Sequence, residues 1–284
     1  MTTPSFVLVD AAKAASVARV RIESLSTMAE LKQADAVLRE IWRDDSAQAG
    51  PMPIAVMRAL EHAGSYVHGA FDADDGRMLG ASIGFFSTPE QRSLHSHITG
   101  VLASAHRGGI GYALKLHQRE WCIARGAREM TWTFDPLVAR NAYFNIVKLG
   151  ADIAEYLDDF YGQMDDQINR DDPTDRVLAR WRFDVPARTL RALPPYRRLL
   201  TSGADGAPVP VSDETRGAAI IEVPVDIEGL RLINPAVAAD WRAEVRAAFA
   251  RADVEGLVVD GFVRGVGYTL APHSPSRPTK DGSP

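Results

Sequence analysis

The chain has 284 residues, 46% of them hydrophobic, and a formal net charge of −5. That length suffices for one sizeable core, or for one domain with a smaller one beside it, and the acidic balance speaks against a nucleic-acid partner. The single cysteine, Cys122, excludes an intrachain disulfide and any thiolate metal cluster, and the absence of a spanning apolar run or a signal-like start makes a cytoplasmic protein without a membrane partner the expectation.

In chain order, Phe6 to Asp10 is a short apolar run, followed by an alanine-rich stretch and a first strand at Val20 to Ile22. Ser26 or Thr27 caps a helix over Met28 to Trp42, with Leu31, Ala34, Val37, Leu38 and Ile41 at helical spacing. A polar loop leads to a second helix at Pro53 to Ala63, ended by Gly64. Tyr66 to Phe71 and Met78 to Phe86 form a hairpin about the Asp-Asp-Gly at 74–76. Leu94 to Ala103 is the next strand, and a helix from about Gly109 to Ala124 offers Ala113, Leu114, Leu116, Trp121 and Ile123 as buried positions. Cys122, on that helix, reads as a core thiol. Glu129 to Phe134 is a strand closing at Asp135-Pro136, and Ala139 to Leu149 is a helix stopped at Gly150. Residues 151–183 supply the last strands of this part.

Thr201 to Gly217 is rich in Gly, Pro, Ser and Asp and reads as a linker or exposed loop. Beyond it come a strand (219–225), a helix (Pro235 to Ala252) with Ala238, Trp241, Val245, Ala248 and Phe249 on one side, and a strand or hairpin (256–270). The expected division is therefore a domain at 1–200, a linker at 201–217, a small β-α-β extension at 218–271 packed on the first domain, and a disordered tail at 272–284.

The stretch that organises the chain is ITGVLASAHRGGIGYALKL, Ile98 to Leu116. A strand runs into a glycine-rich turn and then a helix. Glycines at a helix start let a ligand approach the backbone, and the first-turn N–H groups, with the positive end of the helix dipole, make an anion site. The dinucleotide G-x-G-x-x-G spacing and the P-loop Gly-Lys-Ser/Thr are both absent.

The frame His106-x-x-Gly109-x-Gly111 resembles the pyrophosphate loop of the GCN5-related N-acetyltransferase (GNAT) superfamily, with His106 where the family more often has Gln or Arg. The order of strands and helices is similar too. The runs LHSHITGV, WTFDPLVARNAYFNIVKLGA and YGQMDDQINRDDPTDRVLARW resemble a bacterial GNAT subgroup without an assigned substrate, over roughly residues 20 to 270. The resemblance implies an α/β fold in the α+β sense: a central mixed, mostly antiparallel sheet with a splayed strand pair, flanked by helices. It also implies acetyl-CoA or another acyl-CoA as co-substrate, without a metal. The cofactor residues it implies are Val101, Leu102 and Ala103 along the pantetheine, His106, Arg107, Gly108, Gly109, Ile110, Gly111 and Tyr112 at the pyrophosphate, and Asn141 and Asn145 at the thiol end. The N–H after Val101 is expected to polarise the thioester carbonyl.

His95 and His97 lie two apart on the strand entering this region, so both point to one face. His97 is a candidate general base; both histidines also read as structural, and their spacing suits a metal pair. Asp135 is the rival base, or a turn cap. The family's general-acid tyrosine falls at Ile146 by count from Gly150, leaving Tyr143 as the nearest phenol, about 60° round the helix. Tyr156, Tyr161 and Trp181 read as core or as acceptor contacts. Asp158, Asp159, Asp165 and Asp166 read as a solvated face, or as a lure for an ammonium group. Three functions stay open: an N-acyltransferase acting on a small amine or amino acid by direct transfer, a silent acyl-CoA-binding or interaction module, and a protein-lysine acetyltransferase. A homodimer is compatible with each.

Overall fold

The computed structural model describes residues 10–42, 50–162, 172–185, 196–212 and 215–273. Phe6 to Val9, Asp165, Asp166 and the tail from Ser274 lie outside them. The chain forms two compact units, Met1–Asp135 with Lys148–Thr189, and Pro136–Val147 with Leu190–Pro284.

The first unit is built on a seven-stranded sheet. Its strands are β1 (Val20–Ser24), β2 (Tyr66–Asp72), β3 (Met78–Phe86), β4 (Ser93–Val101), β5 (Glu129–Phe134), β6 (Asp152–Leu157) and β7 (Arg176–Arg182), in the order β1-β2-β3-β4-β5-β7-β6. Only β4 and β5 run parallel; the other pairs are antiparallel. This is the mixed, mostly antiparallel sheet expected from the GNAT resemblance. The helices are α1 (Ala11–Val17), α2 (Met28–Trp42), α3 (Ile54–His62) and α4 (Ile110–Ile123). A capping box starts α2: Thr27 Oγ1 accepts from Glu30 N–H, and Glu30 Oε2 accepts from Thr27 N–H.

Both faces of the sheet are covered, so β2 and β3 are buried along nearly their whole length instead of alternating. On one face Val67, Ala81, Ile83 and Ile98 pack against Leu31, Ala34 and Leu38 of α2 and Met57 of α3. On the other lie α4 and residues of opposite parity. The inward face of α4 differs from expectation. Ala113, Leu114 and Leu116 are buried, but Trp121 is half-buried and Ile123 is 45% exposed. Lys115, Gln118 and Cys122, at i, i+3 and i+7, are buried instead. Burial pushes the Cys122 thiol up to about 12, so it stays protonated.

Tyr66 and His68 of β2 meet this helix face. Tyr66 Oη lies 2.8 Å from His117 Nδ1, and its ring stacks on His68 with centroids 4.0 Å apart. Burial, with the positive His117 and Arg125 nearby, holds His68 down at about 3. A histidine near 6.5 in the unfolded chain and lower in the folded one binds more protons when unfolded. Its contribution is therefore complete above pH 6.5 and is lost as pH falls toward 3. Thermal melts should show Tm dropping between pH 7 and pH 4, and His68→Phe, which keeps the stacked ring, should flatten that drop. An unchanged slope would remove His68 as its source.

The second unit has its own sheet. Strands β8 (Arg197–Ser202), β9 (Pro208–Pro210), β10 (Ala219–Glu222), β11 (Leu257–Val263) and β12 (Gly267–Pro272) lie in the order β11-β12-β10-β8-β9. Helices α5 (Ala139–Ala142), α6 (Ile227–Ile233) and α7 (Pro235–Val254) belong to the same unit. Ala238, Trp241, Val245, Ala248 and Phe249 of α7 are all buried, as their spacing predicted.

Two expected boundaries are corrected. The domain does not end at residue 200 with a linker to 217, because β8 runs through that point and turns at Gly206 into β9. The Gly/Pro/Asp composition there belongs to a hairpin. Pro208 and Pro210 are tolerated because β9 is the edge strand. The extension is also larger than β-α-β. It holds five strands and takes in residues 136–147 from the middle of the chain, where Tyr268 Oη donates to the Pro136 carbonyl at 2.7 Å. Composition cannot show such a loan, because it is decided by a contact 132 residues away.

Candidate functional site

The site region of the first unit is set by how little β4 and β5 pair. Their parallel ladder covers Ser93 to His95 against Glu129 to Thr131. Among the described residues the two strands do not pair beyond it, while Ile98 to Val101 stay paired with β3. A bulge sits at the start of this stretch: Ile83 opposes Ile98 but Phe85 opposes His95, so two steps on β3 match three on β4.

The antiparallel alternation then says which backbone groups aim there. Leu102 N–H donates to the Leu79 carbonyl at 2.9 Å. The N–H and C=O of Val101 and Thr99, at the alternate positions, therefore point away from β3. This corrects the expectation that the N–H after Val101 polarises a thioester, since that group is committed within the sheet. Ala103, expected to continue the strand, begins a 3-10 helix over Ala103–Gly108.

Gly109 follows at φ 78°, a conformation that favours glycine, and α4 starts at Ile110. Ala113 N–H donates to the Gly109 carbonyl, the first bond of the helix. The N–H groups of Ile110, Gly111 and Tyr112 are the first-turn donors, without partners inside the helix. A Cβ built on Gly108, Gly109 or Gly111 would meet nothing closer than 3.7 Å, so these three glycines stand clear of the surrounding chain. Arg107 and Gly108 lie in the 3-10 turn rather than at the helix start. The side chains of His106 and Arg107 are outside the described residues.

His95 and His97 share one face, both against Phe85, with ring centroids 5.5 and 5.9 Å from it and 6.3 Å from each other. His95 Nδ1 lies 3.2 Å from Thr131 Oγ1, and burial holds its imidazole down at about 4. His97 is exposed, and partial desolvation lowers it from its ordinary value. Both are neutral at pH 7. Next along β5, Thr133 Oγ1 lies 2.9 Å from Tyr161 Oη, and the Arg176 guanidinium stands 5.4 Å from the Tyr161 ring. His95, His97, Thr131, Thr133 and Tyr161 thus form a polar row where the two strands part. Sequence reading found the histidines and named Tyr161. It missed the threonines, whose alternation with Met130, Trp132 and Phe134 was the available signal.

Other expected residues are placed elsewhere. Asp135, 8% exposed, ends β5. Tyr143, Asn141 and Asn145 belong to the second unit, where Asn141 is exposed and Asn145 buried. The expected helix at 139–149 is α-helical only over Ala139–Ala142 and continues as a π-helix over Tyr143–Lys148. The angle of about 60° between Tyr143 and Ile146 assumes α-helical spacing, which a π-turn does not keep. Arg264 stands 4.2 Å over the Tyr143 ring, in a cavity of about 240 Å³ within that unit. Trp181 is a core residue, and Tyr156 donates to Asp175 Oδ2 at 2.7 Å. Asp159 accepts from Thr174 N–H and shapes a turn. Among the described residues, no group of three or more His, Cys, Asp or Glu could hold a metal ion, and no helix is long and apolar enough to cross a membrane.

No family profile and no curated sequence matches the chain. Solved structures do resemble it in part. A ribosomal-protein-alanine N-acetyltransferase from Brucella melitensis is 16% identical, with a TM-score of 0.46, over 57% of this chain and 99% of that one. An IAA acetyltransferase from Bacillus cereus gives 16%, 0.44, 58% and 99%. The PaiA N-acetyltransferase from Thermoplasma acidophilum, in complex with coenzyme A, gives 14%, 0.42, 58% and 99%. The strand order and pairing within this chain itself define its architecture.

Proposed function

We propose that this chain is a CoA-dependent N-acyltransferase of the GNAT type, acting on a small amine or amino acid. The observation that carries this reading is the parting of β4 and β5 beyond His95 and Thr131, with the N-terminus of α4 following directly from the parted strand. The first-turn N–H groups of Ile110 to Tyr112 hold the pyrophosphate, helped by the helix dipole. The outward backbone groups of the parted strand, those of Thr99 among them, pair with the pantetheine amides. The thioester then lies in the opening beside the polar row.

The reaction needs a neutral amine at the thioester carbon. His97, neutral at pH 7 and exposed on this face, takes the ammonium proton directly or through a water. The amine nitrogen bonds to the carbonyl carbon, the C–S bond breaks, the nitrogen releases its second proton to solvent, and CoA leaves as a thiolate that takes up a proton from solvent. Transfer is direct, because the one cysteine is a buried, protonated thiol on the inner face of α4. The donor is acetyl-CoA or a longer acyl-CoA.

The test is calorimetry of the full chain with CoA, followed by thiol release from acetyl-CoA and succinyl-CoA across amines and D- and L-amino acids. Binding with acceptor-dependent release is expected. Binding without release on any acceptor would favour the silent acyl-CoA-binding module, and absence of CoA binding would overturn the reading.

A further inference from the structure

Beneath the parting strands lies a buried polar cluster that the reaction above does not use. Lys115 of α4 is 5% exposed. Its Nζ donates to Ser96 Oγ at 2.8 Å and stands 4.1 Å from the centroid of the Trp132 ring. Ser96 Oγ in turn donates to Gln118 Oε1 at 2.7 Å. Gln118 Nε2 and Trp132 Nε1 are both buried without a hydrogen-bond partner among the described residues. Among those residues no carboxylate forms an ion pair with Lys115. Cys122, the neighbouring ionisable group, stays a neutral thiol.

Among the described residues the cluster therefore has donors in surplus and a titratable amine without a counter-charge. Each orphaned donor is expensive in a dry interior, and an unpaired ammonium more so. Burial pulls Lys115 down to about 7, which is the mark of that cost. What the cluster lacks is an acceptor bearing negative charge.

Its position says where such an acceptor would come from. Ser96 and Trp132 are the first residues past the last paired ones, His95 and Thr131, so the cluster stands at the apex of the opening. A chain entering at the α4 N-terminus and running along β4 from Val101 reaches Ser96 after about 16 Å, five residues at about 3.3 Å each. That is the thioester end of a donor, where its acyl group begins. Resting on the acyl-CoA reading above, we propose that the Lys115–Gln118–Trp132 cluster receives the tip of the acyl group, and that the preferred donor is an acyl-CoA ending in a carboxylate. The carboxylate accepts from Lys115 Nζ and Gln118 Nε2 and supplies the missing counter-charge. A plain acetyl or alkyl chain leaves those donors unpaired.

The experiment compares succinyl-CoA with butyryl-CoA, which has a four-carbon acyl chain without the carboxylate, by calorimetry on the full chain. CoA serves as the reference ligand. Succinyl-CoA should bind at least tenfold more tightly than butyryl-CoA. Lys115→Met, which keeps the side-chain volume and removes the charge, should bring the ratio to about one. Gln118→Leu should lower the ratio in the same direction and serves where Lys115→Met fails to fold. Equal binding of the two thioesters by the unaltered protein, or a preference that survives in a folded Lys115→Met, would overturn the inference while CoA binding stands. Failure of CoA itself to bind would instead overturn the acyl-CoA reading, and this inference with it.

Discussion

Gly111→Asp should abolish CoA binding and leave the fold at least as stable. Gly111 lies in the first turn of α4, where a Cβ would meet only Val101 Cγ2, at 3.9 Å. The substitution thus fits the backbone, replaces a poor helix former and sets an acid at the positive end of the helix. The same carboxylate competes for the first-turn N–H groups that the pyrophosphate needs, and it repels that ligand. Two unit charges about 4 Å apart interact by about 4 kcal/mol at an effective dielectric of 20, or roughly a thousandfold in affinity. Calorimetry should show no measurable binding while the thermal melt moves upward. Gly111→Ala, which adds only the methyl group, should bind CoA and also melt higher. Retention of CoA affinity within tenfold by Gly111→Asp would take the anion site away from this helix.

The second large effect is on the chemical step. His97→Ala should lower kcat/KM by roughly a hundredfold or more, the usual contribution of a positioned base. Desolvation lowers the His97 pKa from its ordinary value. A base works when deprotonated, so the acid limb of the pH profile should fall below pH 6.5, with activity lost as pH drops through it. His97→Ala should remove that limb. Asp135 is the competitor: it is 8% exposed at the end of β5. A limb kept by His97→Ala and lost in Asp135→Asn would move the role there.

Much of the first unit was legible before any coordinates. Apolar runs bounded by turn residues marked β2 to β5, Ser26 or Thr27 marked the start of α2, and glycines at 64, 109, 126 and 150 marked turns where φ is positive. These are local signals, carried by residues a few positions apart. The glycine frame at 109–111 was legible for the same reason, as were His95 and His97 as a pair on one face.

The rest depended on contacts between distant residues. The hydrophobic spacing of α4 named Trp121 and Ile123 as core, yet Lys115 and Gln118 took inward positions because Ser96 and Trp132 wait opposite them. No periodicity argument puts a lysine in a core, since its burial is tolerable only beside partners the sequence does not announce. The N–H after Val101, expected to be available to a ligand, is instead committed to the Leu79 carbonyl, because strand register decides which N–H faces the sheet and which faces outward. Residues 136–147 looked like part of the first domain by order, and Tyr143 like a member of its site. The hydrogen bond from Tyr268 to Pro136 and the Arg264–Tyr143 stacking tie them to the second unit instead.

The amino-acid order by itself thus determined most strands and helices of the first unit and the glycine turn, because each is set by torsional preferences and spacing within a few residues. Tertiary structure alone decided which backbone groups line the parted strands, which polar side chains are buried at their apex, and which unit owns Tyr143. Those depend on register and on partners as many as 132 residues away, where the deciding energies are desolvation and hydrogen-bond pairing rather than local propensity.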